Sequence, residues 1–340
     1  LTGEHGTGKS YCLREIIRQA IRMASKTLII TPTGLLATTY KDVFGDDVTA
    51  DTVHAAFRLA SGIEGRRAAI NWDIRLFDLI VMDEISMISV VHADHIKSTL
   101  ASLGHHCLIV LCGDRHQLQP IPVHGVVGSL FDDRDLLHAC YVTRLRRQFR
   151  TQDDELSDFL KICRVRYPRN FEINAFVSGL VLLDDFPSDE DLIRVHDNHP
   201  ERVVLCFTRS SANRFNSLIC ANDFKDSFPL KMCRYPSPDG DLEPVFEGMP
   251  IMLTENRDKK RSFVNGQTGN IHSVIDNTIL VQILDDRIIR VYPVTTPDGI
   301  YYPFTLRYAG TIHKAQGQTL SSVIVWFDSR KLPPGCAYVA

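Results

Sequence analysis

The chain has 340 residues, enough for about two domains of ordinary size, and its 44% hydrophobic content can supply buried cores. A formal charge of −3 and a pI of about 6.5 exclude a strongly basic protein that coats nucleic acid. Any nucleic-acid binding therefore has to be local. The nine cysteines are scattered without a Cys-x-x-Cys pair. This spacing argues against structural zinc and disulfides and favours an intracellular protein. The sequence shows no signal peptide and no apolar stretch of membrane-spanning length, so no membrane association is expected.

The first ten residues, LTGEHGTGKS, contain the pattern Gly-x-x-x-x-Gly-Lys-Ser, the Walker A loop, and a helical run follows it. Glycines let backbone amides converge on phosphates, and the following helix N-terminus attracts anions. The lysine reaches the terminal phosphates, and the hydroxyl ligates magnesium. We therefore predict ATP and Mg²⁺ at this loop. The residues predicted to hold them are Gly3, Gly6, Thr7, Gly8, Lys9 and Ser10.

An acidic pair follows the apolar run at residues 77–82, which has the length of a buried strand. Asp83 is predicted to hold the magnesium, and Glu84 to polarise the attacking water. Most Asp-Glu pairs lie on solvated surfaces. At a strand end in a chain with a Walker A loop, the pair is the expected Walker B motif.

A third apolar run, residues 107–112, leads to Gln117. A side-chain amide can hydrogen-bond a γ-phosphate and so distinguish ATP from ADP. The alternative for Gln117 is an ordinary polar loop. Together these segments predict one parallel α/β sheet with its ligand at the carboxyl ends of the strands.

Two further segments are not needed for phosphate chemistry. The strand-like residues 26–31 lead to Pro32 and Thr33, and His54 and Phe57 follow later. Hydroxyls and a histidine suit a nucleic-acid backbone, and an aromatic ring can stack on a base. The alternatives are a helix cap at Thr33 and a core aromatic at Phe57.

Local positive charge is concentrated in residues 144–150, which contain four arginines, and further arginines follow to residue 169. A charge run is usually a solvated face. At least one guanidinium is nevertheless expected at the nucleotide, because it stabilises the charge of a transferring phosphoryl group.

Eight motifs in this order resemble the PIF (petite integration frequency) helicases and, more broadly, the RecD-like helicases of superfamily 1. The resemblance covers essentially the whole chain and implies an α/β protein with two RecA-like P-loop NTPase domains and a small β-barrel insertion in the second. The implied domains are residues 1–144 and 145–340, with a short wedge at about 58–76 and the barrel at about 245–300. The motifs are GEHGTGKS, TPTG, TVHAAF, VMDEISM, GDRHQLQP, FRTQDDELSDFLKICR, FVNGQTGNI and TIHKAQGQTL.

The same resemblance implies roles for two later segments. Arg150 matches the family's arginine that reaches the γ-phosphate, although Arg147 competes because Arg147-Gln148 also reads as the family's Arg-Gln pair. In TIHKAQGQTL, Gln316 and Gly317 are expected to face the nucleotide. The residues of this motif expected to face DNA are Thr311, His313 and Lys314.

The sequence also departs from the family pattern. Gln119 stands where the family usually has proline, and few residues are available for the wedge. The adenine-contacting segment before the loop and the arginine after Ala340 are missing, so we expect a piece of a longer protein that hydrolyses ATP poorly by itself.

The resulting prediction is an ATP-dependent DNA helicase that moves 5′-to-3′ on single-stranded DNA and acts at single/double-strand junctions. Roles in DNA repair, recombination or telomere maintenance are those of relatives. The alternatives are a catalytically degenerate DNA-binding fragment and a P-loop ATPase that acts on proteins. A monomer is favoured, in the nucleus or mitochondria if the source is a eukaryote and in the cytoplasm if it is a bacterium.

Overall fold

The computed structural model describes the chain except residues 60–70, 104–106, 150–153, 178–186, 237–241, 258–262, 284–285, 298, 317–319, 321, 329–334 and 340. The chain forms two compact units. Leu1–Gly179 and Pro333–Val339 form the first, and Leu180–Leu332 belong to the second. Because residues 60–70 are not described, most of the predicted wedge at residues 58–76 lies outside the described residues.

A parallel sheet with the strand order β3-β2-β4-β5 forms the centre of the first unit. Strand β1 pairs in parallel with β6 and bridges to Gly113, two residues after the end of β5. The apolar runs predicted at 26–31, 77–82 and 107–112 are confirmed as β2, β4 and β5. The strands are β1 (Thr2–Gly3), β2 (Thr27–Thr31), β3 (Val48–Thr52), β4 (Leu79–Met82), β5 (Leu108–Leu111) and β6 (Arg144–Leu145).

Alternation along these strands explains why the runs are continuously apolar. Ile80 and Met82 pack into one core, while Leu79 and Val81 pack into the core on the opposite face. Successive side chains of a strand point to opposite faces, so a sheet covered on both sides needs apolar residues at every position.

Helices cover both faces of this sheet. Helix α1 buries Leu13, Ile17 and Ala20, which recur at helical spacing. The helices of the first unit are α1 (Lys9–Arg22), α2 (Gly34–Phe44), α3 (Val53–Ala56), α4 (Ala93–Ala101), α5 (Arg134–His138), α6 (Asp154–Val165), α7 (Asn170–Val177) and, after the second unit in chain order, α11 (Cys336–Val339). Short 3₁₀ helices lie at Gly45–Asp47, Trp72–Leu76, Ile85–Met87, Val90–His92 and Leu130–Asp132.

The first unit continues past the predicted boundary at residue 144. Helix α6 packs against α11. In addition, Arg164 of α6 forms an ion pair with Asp114 just after β5. These contacts place the segment after residue 144 in the same compact unit as the Walker A loop.

The second unit combines a parallel and an antiparallel sheet. The parallel sheet has the order β17-β7-β18, and the antiparallel sheet has the order β13-β12-β11-β10-β16. The antiparallel sheet lies where the small β-barrel insertion is predicted, and its last strand ends at Leu306. The strands are β7 (Val203–Cys206), β8 (Lys231–Cys233), β9 (Glu243–Val245), β10 (Pro250–Leu253), β11 (Thr268–Ile275), β12 (Thr278–Ile283), β13 (Ile288–Val291), β14 (Val294–Thr296), β15 (Gly299–Tyr301), β16 (Phe304–Leu306), β17 (Ala309–Thr311) and β18 (Val323–Trp326).

One core joins both sheets of the second unit. It includes Phe215 of the helix Arg209–Asp223, Val204 of the parallel sheet and Val281 of the antiparallel sheet. The helices of this unit are α8 (Asp189–Asn198), α9 (Arg209–Asp223) and α10 (Ile312–Ala315). Within the part of the chain that the structure describes, no helix is both long and apolar enough to cross a membrane.

Candidate functional site

The Walker A loop connects β1 to α1 and exposes the helix N-terminus. Gly6 and Gly8 have φ angles of 75° and 87°, a region that glycine adopts without strain. Gly8 is the N-cap of α1, and no described side chain caps the helix there. The first N–H groups of this 14-residue helix are therefore available to an anion. At Gly3, a Cβ would lie 2.9 Å from the Leu145 backbone oxygen of the paired strand, which favours glycine there.

Lys9 is held at the centre of the loop. Its Nζ donates to the carbonyl oxygens of Gly3 and Glu4, both at 2.9 Å, and the residue is 9% exposed. Thr7 closes the loop, because its Oγ1 donates to the Glu4 oxygen at 2.8 Å. A buried ammonium with carbonyl partners is a suitable ligand for the terminal phosphates of a nucleotide.

The acidic pair directly follows β4, as predicted. Asp83 is buried, and its carboxylate accepts from Tyr40 Oη at 2.7 Å and from the Glu84 N–H at 2.9 Å. Glu84 has a φ of 53°, and its Oε2 is buried with no hydrogen-bond partner among the described residues. A non-glycine residue with positive φ and an unpaired buried oxygen is a costly arrangement typical of functional sites.

Electrostatics at the pair follow from burial and from neighbouring charges. Burial raises the pKa of both the Asp83 and the Glu84 carboxyls, and the Asp83 carboxylate raises that of Glu84 further. Lys9 acts in the opposite direction on both groups, because its positive charge favours the carboxylates. The loop lysine and the two acids therefore belong to one site.

These residues fit a nucleotide with its magnesium ion. The uncapped helix N-terminus suits phosphate, and Glu84 Oε2, which has no partner in the described part of the chain, has the capacity to accept a hydrogen bond from a water. Magnesium takes oxygen ligands and keeps several of its waters, which suits the exposed hydroxyl of Ser10 and the carboxylate of Asp83.

Gln117 lies on the loop that follows β5. It is 7% exposed, and its N–H donates to the Asp114 carbonyl at 3.2 Å. The loop starts at Gly113, which bridges to Thr2 of β1, so it begins beside the strand that leads into the Walker A loop. The role of Gln117 at a γ-phosphate stays a prediction.

The DNA-binding residues predicted in the first unit have different environments. Thr33 is the N-cap of α2 and accepts from the Leu36 N–H at 3.3 Å, so the helix-cap alternative is confirmed for its side chain. Pro32 is half-buried beside it. His54 is exposed and lies edge-to-face with His92 at a ring-centroid distance of 5.7 Å.

Phe57 corrects the sequence prediction. Its side chain is 0% exposed and belongs to the core that contains Phe131 and Met82. Helix α3 ends at Ala56, so Phe57 follows as its C-cap and its ring packs into the core. A ring without exposed surface offers no face to a base. The core-aromatic alternative is therefore the correct one.

The predicted residues of the second unit that the structure describes lie in the short helix α10 or directly before and after it. Thr311 and Gln316 are buried, His313 is half-buried and Lys314 is exposed. The His313 ring lies 6.1 Å from the Phe207 ring, centroid to centroid. Burial, and then the nearby Arg209 charge, lower the pKa of both His313 and Lys314. Their predicted DNA contacts stay predictions. Arg150 and Gly317 lie outside the described residues.

Sequence reasoning missed several residues that contact the site. Tyr40 supports Asp83, and the Gln148 side chain donates to the His5 carbonyl at 2.6 Å. The Phe149 N–H donates to the Gly6 carbonyl at 2.9 Å, and its ring is 65% exposed. In the sequence, this segment drew attention through its arginines and the Arg147-Gln148 pair, and no pattern pointed to Phe149.

The fold and the site together define a P-loop NTPase with RecA-like sheets. A family model described as "AAA domain" matches residues 1–122, which include the Walker A loop and the acidic pair.

Comparison with whole proteins identifies the Pif1 helicases as relatives. The chain is 25% identical to the "ATP-dependent DNA helicase Pif1" of Bdellovibrio bacteriovorus, over 100% of this chain and 80% of that protein. It is 23% identical to the "ATP-dependent DNA helicase PIF1" of Danio rerio, of which it covers 56%. The structure of a Bacteroides Pif1 helicase in complex with ADP-AlF3 and ssDNA matches with a TM-score of 0.70 at 19% identity, covering 99% of this chain and 84% of that one.

The resemblance to the PIF helicases inferred from the eight motifs is therefore confirmed, as is the predicted α/β fold with RecA-like domains. The chain spans about half the length of several curated relatives.

Proposed function

We propose that this chain is the motor region of an ATP-dependent DNA helicase that translocates on single-stranded DNA. The observation that carries the proposal is the site of the first unit. There an uncapped helix N-terminus and the Lys9 ammonium accompany Glu84, whose buried Oε2 has no hydrogen-bond partner among the described residues. Relatives named as ATP-dependent DNA helicases match the whole chain and support the same reading.

The residues of this site divide the work of ATP hydrolysis. The loop amides and Lys9 bind and orient the phosphates, and Ser10 and Asp83 would hold Mg²⁺, which neutralises phosphate charge. Tyr40 fixes the Asp83 carboxylate. Glu84 accepts the proton of the attacking water as general base. Gln117 hydrogen-bonds the γ-phosphate and so distinguishes ATP from ADP.

Three residues complete the nucleotide site in this proposal. Arg150 supplies a guanidinium that stabilises charge on the transferring phosphoryl group. Gln316 and Gly317, in TIHKAQGQTL, face the nucleotide. These roles rest on the motif resemblance.

Single-stranded DNA is the proposed track. Pro32, Thr33 and His54 in the first unit and the residues around α10 in the second contact its backbone. A relative from Bacteroides has been solved with single-stranded DNA, which supports this substrate class. The direction proposed is 5′-to-3′. A base-pair step costs about 1.4 kcal/mol on average, a load that one ATP per step can meet.

The proposed cellular setting follows from this substrate. The protein would act inside the cell on single-strand/duplex junctions during repair, recombination or telomere maintenance. It would act in the nucleus or mitochondria of a eukaryote, or in the cytoplasm of a bacterium. A monomer is the proposed active form.

Strand separation on tailed duplexes tests the proposal. The full-length protein is mixed with a fluorescent duplex that carries either a 5′ or a 3′ single-stranded tail, with ATP and magnesium. We expect ATP-dependent separation of the 5′-tailed duplex, and its loss in Lys9→Ala. Hydrolysis that is indifferent to DNA and separates neither duplex would instead favour an ATPase that acts on proteins.

A further inference from the structure

Asp114 is the centre of a buried polar network beside the nucleotide site. Its side chain is 0% exposed. Arg164 Nη2 donates to one carboxylate oxygen at 3.0 Å, and Tyr338 Oη donates to the other at 3.0 Å. The His116 N–H adds a third donor at 3.1 Å. A buried carboxylate needs such partners, because an unpaired one carries a large desolvation cost.

The network extends from Asp114 to the Walker A loop. Tyr338 Oη accepts a hydrogen bond from the His5 N–H at 2.6 Å, and Arg164 Nη1 lies 3.5 Å from Glu4 Oε1. The Glu4 carbonyl is one of the two that hold Lys9 Nζ. Two residues far away in sequence therefore contact the part of the loop between Gly3 and Gly6.

The same network also contacts the loop of Gln117. A Cβ on Gly335 would lie 2.8 Å from the His116 carbonyl oxygen and 2.8 Å from the Gln117 carbonyl carbon. Gly335 has a φ of 84°, so a larger residue there would be strained as well. The segment that carries Tyr338 is thus packed directly on the Gln117 loop.

The charges in the network are compatible with a fixed geometry. Burial raises the pKa of Asp114, but the Arg164 hydrogen bond and the His116 N–H outweigh it, so the pKa lies below its ordinary value. Asp114 is therefore an anion that accepts from a planar guanidinium. Lysine in place of Arg164 would keep the positive charge but would lack the several planar N–H donors of the guanidinium.

We propose that Tyr338 and Arg164 are positioning residues for ATP, which act through Asp114 to fix the Walker A loop relative to the Gln117 loop. The Tyr338 hydroxyl is the key group, because it accepts from His5 and donates to Asp114. This inference rests on the proposed function, since it takes ATP as the ligand.

Tyr338→Phe in the full-length protein removes only that hydroxyl. We expect the KM for ATP and the Kd for a fluorescent ADP analogue to rise together about tenfold, with kcat changed less than about threefold. A tenfold change corresponds to about 1.4 kcal/mol, within the range for a hydrogen bond to a charged group. Arg164→Lys should act in the same direction, and the double variant should fall short of the product of the two effects, because both residues share Asp114.

Amide hydrogen exchange of the nucleotide-free protein provides a second readout, which does not depend on ATP turnover. Tyr338→Phe should accelerate exchange in peptides that cover residues 3–8, whereas Tyr141→Phe, at a fully exposed tyrosine, should not. Unchanged exchange together with unchanged ADP affinity would overturn the proposal. So would a lower melting temperature as the only effect. A wild-type protein that fails to hydrolyse ATP would refute the proposed function, while the exchange result would still decide the role of Tyr338.

Discussion

Replacing Glu84 by glutamine should separate catalysis from binding and stability. The side chain keeps its shape but can no longer accept a proton, so kcat for ATP should fall by about 10² to 10⁴, the usual contribution of a general base. The uncapped helix N-terminus and Lys9 are untouched, so the Kd for ADP should stay within about twofold.

Stability should rise in the same variant. The pKa of Glu84 rises from 4.5 to about 7, chiefly because of burial. Since one pKa unit corresponds to about 1.4 kcal/mol, the charged form costs the folded protein up to about 3 kcal/mol. Glutamine avoids that cost, so we expect about 1–3 kcal/mol of added stability when unfolding is measured without magnesium.

The assays are steady-state ATP hydrolysis, fluorescent ADP titration and urea unfolding, with Glu155→Gln on the exposed surface of α6 as the matched control. The control should leave all three quantities unchanged. Turnover at the wild-type rate in Glu84→Gln would refute the general-base assignment. Lower stability would refute the argument that the unpaired Glu84 oxygen is costly in the folded state.

Four other outcomes test the fold and the site. Phe57→Ala should cost about 3–5 kcal/mol in urea unfolding, because it empties a fully buried position, and a neutral result would reopen the stacking role. Asn216→Ala should cost about 2–3 kcal/mol, since its amide exchanges two buried hydrogen bonds with the Ala309 backbone; a loss under 0.5 kcal/mol would contradict this. The pKa of Asp114 is below its ordinary value of 3.8, so the stability advantage of wild type over Asp114→Asn should be full above about pH 4 and decline at lower pH; an advantage that grows in acid would reverse the assignment. Chelation of magnesium by EDTA should stop ATP hydrolysis but leave the circular dichroism spectrum unchanged, and hydrolysis that persists would exclude the metal role of Ser10 and Asp83.

Local patterns in the sequence predicted the parts of the site that lie in one chain segment. The Walker A loop follows from the spacing of Gly8, Lys9 and Ser10, and the positions of Asp83 and Glu84 follow from the apolar run before them. In both cases the predicted side chains lie at a strand or helix boundary. That boundary can be recognised in the sequence from the apolar run or the glycines beside it.

Contacts between distant segments could not be predicted in this way. Tyr338 and His5 are joined by a hydrogen bond although 333 positions separate them. Arg164 belongs to a run of arginines that a sequence reader would assign to a solvated surface, yet its side chain is 6% exposed. The predicted stacking role of Phe57 was wrong for a related reason. A four-residue helix is too short for a periodic pattern that would indicate which side the aromatic ring at its end faces.

The central claim is that this chain couples ATP hydrolysis to single-stranded DNA, and one measurement tests it most directly. ATP hydrolysis by the full-length protein is measured in magnesium with and without a single-stranded oligonucleotide, alongside Glu84→Gln. We expect strong stimulation by the oligonucleotide and its loss in the variant. Nucleotide binding with a hydrolysis rate that is absent or unaffected by DNA would contradict it and favour a catalytically degenerate DNA-binding module.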